Sequence, residues 1–434
     1  MQLTGRSIRH FVSVPSILIS FLLCNNFQQS YCFSTPKPSV STSTSTTQKR
    51  QDSSNYLDIL VSDTPLLDTR SPIEYIKGSF PTSINHPLLN DKQRELIGTC
   101  YNKYGQEAAI SLGYELLDNE EGLKERLVQS WIEHITKYPN GYLYCFRGGL
   151  RSHIVQEWIK EATGIHYPLI IGGYKAIRTS LLDDLQVSLD TLPFVLLGGR
   201  TCSGKTIALK HMKRYVDLEG LANHRGSAFG GIAQDDQPSQ IDFENAIIIE
   251  CLKHRKSSSA HPVLMEDEGI RIGKLTLPIA MHKPMANDFP LVVLETPLEE
   301  RIDICIEEYV TKPYQSYLEA GKDTTDDTDN KKQAHASIRN TSLDSVRRIN
   351  KGLQKKWGGT ANQGFDILGA FEKGFLLYES SNASDTSGFR QPVQLLLEDY
   401  YDPMYDYQMD KRKGEVLFRG SMDEIVQWAE HYSE

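Results

Sequence analysis

Short apolar runs bounded by Gly, Pro and Asp alternate along this chain with longer segments in which apolar residues recur every three or four positions, the signature of strands alternating with helices. Leu57 to Leu67 reads as a strand pair, Pro72 opens a helix, and Gly78 to Pro87 reads as a turn, a short strand and a loop. Asp91 to Tyr101 and Gly105 to Leu117 form a helical insertion, and Gly141 to Tyr144 is a short strand running into Cys145. A helix follows from His153 to Ala162. In the second half, Phe194 to Leu197 is a buried strand, with a Gly-rich loop and a helix from Ile207 to Tyr215 behind it. Val263 to Glu268 and Leu291 to Leu294 supply further strands, the latter leading into a helix at Glu299. That alternation predicts an α/β fold with a doubly wound parallel sheet. Gly321 to Ala336 is acidic and Thr-rich and reads as disordered. The helix after it sets Arg347, Arg348, Lys351, Lys355 and Lys356 around Val346, Leu353 and Trp357.

Composition narrows the class. With 39% apolar and 24% charged residues in 434, the chain is of ordinary soluble type, with room for two or three domains. The N-terminus differs: Arg6 and Arg9 precede an apolar run from Phe11 to Cys24, a Ser/Thr/Pro tract follows, and no acid occurs before Asp52. Residues 1–50 therefore read as a removable targeting segment, favouring a plastid over a mitochondrion, with no membrane insertion of the mature chain. The remainder divides into domains at 53–182 and 190–434, the second with a C-terminal extension. Without the five basic residues of the first fifty, the formal net charge moves from −9 to −14, so an RNA partner must be held by local basic patches. Of the seven cysteines Cys24 and Cys32 fall in the targeting segment, and the five others, scattered and none in a CxxC pair, fit neither a disulfide framework nor a zinc site.

The chemistry concentrates at Cys145-Phe-Arg-Gly-Gly-Leu-Arg-Ser152. A strand, a lone Cys, a Gly-rich bend with two arginines and a helix start describe an anion cradle in which backbone N–H groups and the helix dipole favour the thiolate. Cys145 is the expected nucleophile, with Arg147, Gly148, Gly149, Arg151 and Ser152 lining the cradle and Asp68 and Arg70 supporting the loop from below. The order of a strand, DxRSPxE, GxxPxxIN and then the cysteine resembles the rhodanese-like fold. The five residues between Cys145 and Arg151 also match cysteine phosphatases, so two chemistries stay open, although Tyr144 stands where a phosphatase has His. Gly172-Gly-Tyr-Lys-Ala-Ile-Arg178 either closes the pocket or caps a helix.

Gly199-Arg200-Thr201-Cys202-Ser203-Gly204-Lys205-Thr206 matches GxxxxGK[ST] between a strand and a helix, a phosphate-binding loop whose amides wrap phosphate oxygens. Lys205 meets the terminal phosphates and Thr206 a magnesium ion; no metal or cofactor beyond that is indicated. Asp267 and Glu268 end a strand beside this loop and are candidates for positioning water or metal. His224 and Arg225, in a polar Gly-containing stretch, and Arg348, Lys351 and Lys355 are candidate RNA contacts, with the basic runs His254–Lys256 and Lys411–Lys413 beside them. Tyr400 to Tyr407 offers rings that either stack on bases or pack on the sheet edge.

Taken together, YCFRGGLRS, GGYKAIR, GGRTCSGKT, DLEGLANHRGSAFG, QPSQIDFE, EDEGIRIG and YYDPMYDYQ resemble the tRNA 2-selenouridine synthase family, over about Asn55 to Trp428. The resemblance implies a rhodanese-like domain fused to a P-loop domain. It implies that Cys145 takes selenium from selenophosphate as a selenyl-sulfide, with Arg147, Gly148, Gly149 and Arg151 holding the anion. It further implies that the P-loop holds the diphosphate of geranyl diphosphate, or an RNA phosphate, and that the sulfur of wobble 2-thiouridine is S-geranylated before selenium replaces it. Cys202 departs from the usual glycine, and polar insertions at Gly321–Ala336 and Ser381–Gln391 are unexpected. The rival readings are a rhodanese-type sulfurtransferase with a regulatory nucleotide-binding domain, and a nonenzymatic RNA-binding protein.

Overall fold

The computed structural model describes residues 50–224, 237–257, 259–320, 327–358, 362 and 364–432. The targeting segment up to residue 49 and the candidate contact Arg225 lie outside them. The N-terminal half begins with α1 (Tyr56–Val61), β1 (Leu66–Asp68), α2 (Pro72–Lys77) and β2 (Ser83–Asn85). Three helices follow, α3 (Asp91–Tyr104), α4 (Gln106–Asp118) and α5 (Leu123–Lys137), then β3 (Tyr142–Tyr144) and α6 (Leu150–Thr163). β1 lies between β2 and β3 and pairs with both in parallel. The strand pair expected over Leu57–Leu67 is instead a helix and one strand. Leu57, Leu60 and Val61 recur at helical spacing, Ile59 and Leu60 are buried, and the Asn55 side chain bonds Asp58 in the first turn at 2.7 Å.

α7 (Gly173–Thr191) connects to a second sheet. Its chain order is β4 (Phe194–Gly199), α8 (Lys205–Lys210), β5 (Tyr215–Val216), α9 (Leu218–Leu221), α10 (Gln240–Lys256) and β6 (Val263–Glu266). A small hairpin, β7 (Arg271–Ile272) and β8 (Leu275–Thr276), then α11 (Ile279–Lys283), β9 (Leu291–Leu294) and α12 (Leu298–Ile306) complete this part. The helix expected from Ile207 to Tyr215 stops early: Ala208 and Leu209 bury its inner face, the chain turns at His211, and Tyr215 already pairs with Leu264. A helical lobe follows, made of α13 (Lys312–Ala320), α14 (Asp327–Trp357), α15 (Ile367–Ser380), α16 (Arg390–Leu396) and α17 (Asp402–Lys411). β10 (Val416–Gly420) then returns to the sheet and α18 (Met422–His431) covers it. All pairings are parallel in the order β10-β9-β4-β6-β5, the doubly wound arrangement expected. Val- and Leu-rich β4, β6 and β9 are buried along their whole length, as central parallel strands must be.

The disorder expected through Ala336 is corrected from Asp327 onward, where α14 begins; Ala334 and Ile338 are buried in the lobe's core with Trp357 and Tyr378. Phe389, in the polar insertion at Ser381–Gln391, is fully buried in the same core and anchors that segment. One hydrophobic cluster runs through both sheets, joining Ile59, Leu66 and Tyr144 to Phe243, Ile247 and Val263. Polar ties reinforce it: Ser79 N–H donates to Asp242 at 2.6 Å, and Asn245 donates to the Ser79 carbonyl at 2.6 Å. No helix among the described residues is long and apolar enough to cross a membrane.

Candidate active site

Cys145 follows β3 and is 3% exposed, yet it lines a cavity of about 1040 Å³. Its Sγ lies 3.3 Å from Ser152 Oγ, which itself donates to the Gly149 carbonyl at 2.9 Å. Among the described residues no acceptor pairs with the amides of Phe146 through Arg151, so a run of free N–H groups leads into the start of α6. The bend is held from behind by Gly172 and Gly173. A Cβ on Gly148 would stand 2.6 Å from Gly172 N, and one on Gly173 would stand 2.3 Å from the Cys145 carbonyl, so only glycine permits this approach. The first amides of α7 complete the seat, Tyr174 N–H donating to Cys145 O and Lys175 N–H to Phe146 O, both at 2.9 Å. The GGYKAIR motif thus builds the loop's scaffold through its backbone.

Beneath the loop Asp68 and Arg70 form a buried ion pair at 2.6 Å. The Tyr144 hydroxyl donates to Asp68 at 2.8 Å, Arg70 donates to the Gly78 carbonyl at 2.8 Å, and its guanidinium stacks 3.9 Å over the Tyr174 ring. Burial disfavours the Arg70 charge, but Asp68 outweighs burial and its pKa is raised. The two arginines of the cradle differ. Arg147 is exposed and makes no ion pair among the described residues, whereas Arg151 is bound by Glu74 at 2.6 Å. Glu74 also accepts from Ser71 N–H at 3.2 Å as the capping box of α2, a partner the SPxE stretch encodes as S-x-x-E.

The second centre is the loop between β4 and α8, which opens on a cavity of about 990 Å³. Lys205 Nζ folds back to the Gly199 carbonyl at 3.1 Å, and Ser203 Oγ is buried without a partner among the described residues. Arg301 Nε donates to the Thr201 carbonyl at 3.0 Å while its guanidinium is held by Asp402 at 2.6 and 2.9 Å. Arg200 bonds Asp406 at 3.0 Å. The aspartates of the YYDPMYDYQ stretch therefore secure the P-loop, a role its tyrosines concealed; Tyr400, Tyr401, Tyr405 and Tyr407 line the cavity. Asp267 is ion-paired with Arg412; burial nonetheless raises its carboxyl. Burial, with Glu219 beside it, pushes the Glu268 carboxyl up to about 8, Lys205 pulling the other way. Behind them Glu266 is fully buried: it accepts from Leu218 N–H at 2.7 Å, and burial holds its carboxyl well above the usual range.

A family model described as the tRNA 2-selenouridine synthase AAA domain matches residues 192–434. The tRNA 2-selenouridine synthase of Shewanella pealeana is 41% identical over 391 residues, 89% of this chain and all of that relative. Those of Marinobacter nauticus and Shewanella piezotolerans are 41% and 42% identical over 88% and 86% of the chain, and 98% and 97% of their own lengths. The chain belongs to the tRNA 2-selenouridine synthase family. Among solved structures, the N-terminal domain of an ATP/GTP binding protein from Clostridium difficile 630 aligns over 28% of this chain and 90% of its own, at 28% identity and a TM-score of 0.25, which carries no argument.

For a member of the tRNA 2-selenouridine synthase family, the remaining sequence-marked residues fall into two groups. His224 lines the P-loop cavity with its Nδ1 buried and without a partner among the described residues, and burial lowers its pKa. Arg348, Lys351 and Lys355 lie on the exposed side of α14, and Val346, Leu353 and Trp357 are buried on the other, as the spacing predicts. In the other basic runs three cations are ion-paired: Arg255 with Asp184, Lys256 with Asp58 at 3.0 Å, and Arg412 with Asp267. Cys202 takes the left-handed conformation, φ 61°, that explains why glycine is usual there.

Proposed function

We propose that this chain replaces the sulfur of wobble 2-thiouridine in tRNA with selenium drawn from selenophosphate. In this reading the Cys145 thiolate attacks the phosphorus of selenophosphate and selenide leaves, while the free amides of residues 146–151 with Arg147 hold the phosphate group, which water then releases from the sulfur. Arg151, already matched by Glu74, orients the loop and adds little net charge. The P-loop takes the diphosphate of geranyl diphosphate, with Lys205 on its terminal phosphate. Thr206, lining the same cavity, would hold a magnesium ion that neutralises the departing diphosphate. Attack of the thiouridine sulfur on the geranyl carbon releases diphosphate and makes a thioether; selenide then adds at C2 of the uridine and geranylthiol leaves, more readily than a thiocarbonyl sulfur would. The residues from 53 to 182 act as the rhodanese-like part that frees selenium from its donor and those from 190 onward as the alkylating part.

The observation that carries this reading is a cysteine that lines a cavity and is followed by a run of amides unpaired among the described residues, in a chain aligned with tRNA 2-selenouridine synthases along their full length. Its test is mass spectrometry of nucleosides from 2-thiouridine tRNA incubated with the protein and selenophosphate, with and without geranyl diphosphate. Selenouridine formed only with selenophosphate, and boosted by geranyl diphosphate, is expected. Sulfur transfer from thiosulfate with no change in the tRNA would make the chain a sulfurtransferase instead.

A further inference from the structure

Cys202 stands in the phosphate-binding loop at a position to which the proposed alkylation gives no task. Its backbone is left-handed, φ 61°, a conformation that glycine adopts freely and a side chain does not. What that side chain meets is α12, on which the loop rests. Thr296, just before the helix, donates its hydroxyl to the Ser203 carbonyl at 2.7 Å, and Arg301 donates to the Thr201 carbonyl at 3.0 Å. A Cβ on Gly204 would lie 3.5 Å from Ile304 Cδ1. Cys305 follows one turn beyond Arg301 on the same face, and Cys202 packs against the hydrophobic cluster to which Cys305 belongs. The two thiols are hydrogen-bonded to each other, and neither is in a disulfide.

The pair is unequal in the way a stepwise oxidation requires. Cys202 is half-buried and lines the P-loop cavity, so a small oxidant dissolved in water reaches its sulfur. Cys305 is 7% exposed and lies in the core of the helical lobe. Its hydrogen bond to Cys202, and then burial, hold its thiol well above the ordinary range, so it waits as a neutral thiol against the accessible sulfur. Cys251 marks the contrast: fully buried, with its thiol pushed up to about 12 by that burial, it offers an oxidant no entry.

We infer that Cys202 and Cys305 form a reversible oxidation site, closed to a disulfide by peroxide, that disables the phosphate-binding loop. In the first step the Cys202 thiol gives up its proton and its sulfur attacks a peroxide oxygen. The O–O bond breaks, a sulfenic acid forms, and the departing hydroxide takes the proton as water. In the second step the Cys305 sulfur attacks the Cys202 sulfur, the S–O bond breaks, and the hydroxyl leaves with the Cys305 proton as a second water. The two thiols lose two electrons and the peroxide gains them; a dithiol returns them by exchange. A covalent bond brings two sulfurs closer than a hydrogen bond does. It draws residue 202 toward α12 and shifts the neighbouring amides off the positions from which they wrap a phosphate. The switch needs only that the loop bind a phosphate group, and to that extent it rests on the P-loop assignment above.

The test uses full-length protein carrying Cys145→Ser, which takes the cysteine of the other cavity out of the readout. One sample is kept reduced, another is treated with hydrogen peroxide and then freed of it, and both are titrated with inorganic pyrophosphate by calorimetry. Peptide mass spectrometry without reductant locates disulfides in the same samples. The oxidised sample should yield a peptide linking Cys202 to Cys305 and bind pyrophosphate at least about tenfold more weakly, with the affinity restored by dithiothreitol. Adding Cys202→Gly, which suits the left-handed backbone, should abolish the linkage and leave the peroxide-treated sample within about twofold of its own reduced affinity. Absence of the linked peptide, or a loss of affinity that Cys202→Gly keeps, overturns the assignment. A linked pair with unchanged affinity removes the switch and leaves the P-loop assignment standing, whereas reduced protein that binds no pyrophosphate removes both.

Discussion

Glu74 grips the guanidinium of Arg151 with both carboxylate oxygens, at 2.6 and 3.2 Å, and so ties the helix after the candidate nucleophile to the cap of α2. The consequence is electrostatic as well as mechanical. With Arg151 matched, the attraction of the loop for an anion falls to Arg147, the helix start and the row of free amides.

Acid stability tests that pair. Burial raises the Glu74 carboxyl, but Arg151 outweighs burial and it ends below its ordinary 4.5. A carboxyl depressed in the folded state stabilises the fold above its unfolded pKa, and the contribution disappears as pH falls through the folded value. Glu74→Gln should therefore cost about 2 kcal/mol at pH 7, with the gap to wild type closing below about pH 4.5. Urea melts at several pH values would show it; a gap independent of pH would assign the loss to packing.

Under the P-loop, Arg301 and Asp402 form a buried two-bond pair while Arg301 holds the Thr201 carbonyl. Asp402→Asn should destabilise the protein by about 3 kcal/mol in urea, because a buried guanidinium loses its charge partner. It should also weaken pyrophosphate binding, as the loop loses its seat. Unchanged pyrophosphate affinity would separate the pair from the loop.

The Glu268 carboxyl, pushed up to about 8, predicts a pH dependence in the P-loop cavity. Near pH 7 it is mostly protonated, and above pH 8 it adds a negative charge beside Lys205. Affinity for inorganic pyrophosphate, measured by calorimetry, should fall several-fold between about pH 7 and 9. Glu268→Gln subtracts the ligand's own titration and should flatten the fall; identical profiles would place the titration elsewhere.

Much of this is legible in the chain because it is written in short range. GxxxxGK[ST] fixes a phosphate loop wherever a strand precedes and a helix follows, and Cys145 with two glycines fixes a bend. Glu74 and Asp402 escape notice as partners because they lie 77 and 101 positions from Arg151 and Arg301, and local pattern carries no such distances. α1 reads as strand because six residues with Leu, Ile and Val suit either period until the buried side is known. The start of α14 reads as disorder because acidic, Thr-rich composition hides that Ala334 and Ile338 pack against the lobe.

On α14, Lys351 and Lys355 are exposed, whereas Lys356 reaches the Asp399 carbonyl. Lys351→Ala with Lys355→Ala should lower the slope of log affinity for tRNA against log salt by about 0.9 for each phosphate that the two lysines neutralise. An unaltered slope would leave that face as solvated surface.

The most direct measurement is the fate of selenium when Cys145→Ser is given selenophosphate and S-geranylated 2-thiouridine tRNA. Mass spectrometry should find no selenouridine, while anisotropy finds tRNA bound within about twofold of wild type, since serine keeps the shape of the site and lacks only the nucleophilic sulfur. Selenouridine at the wild-type rate would place the nucleophile outside the Cys145 loop and contradict the account at its centre.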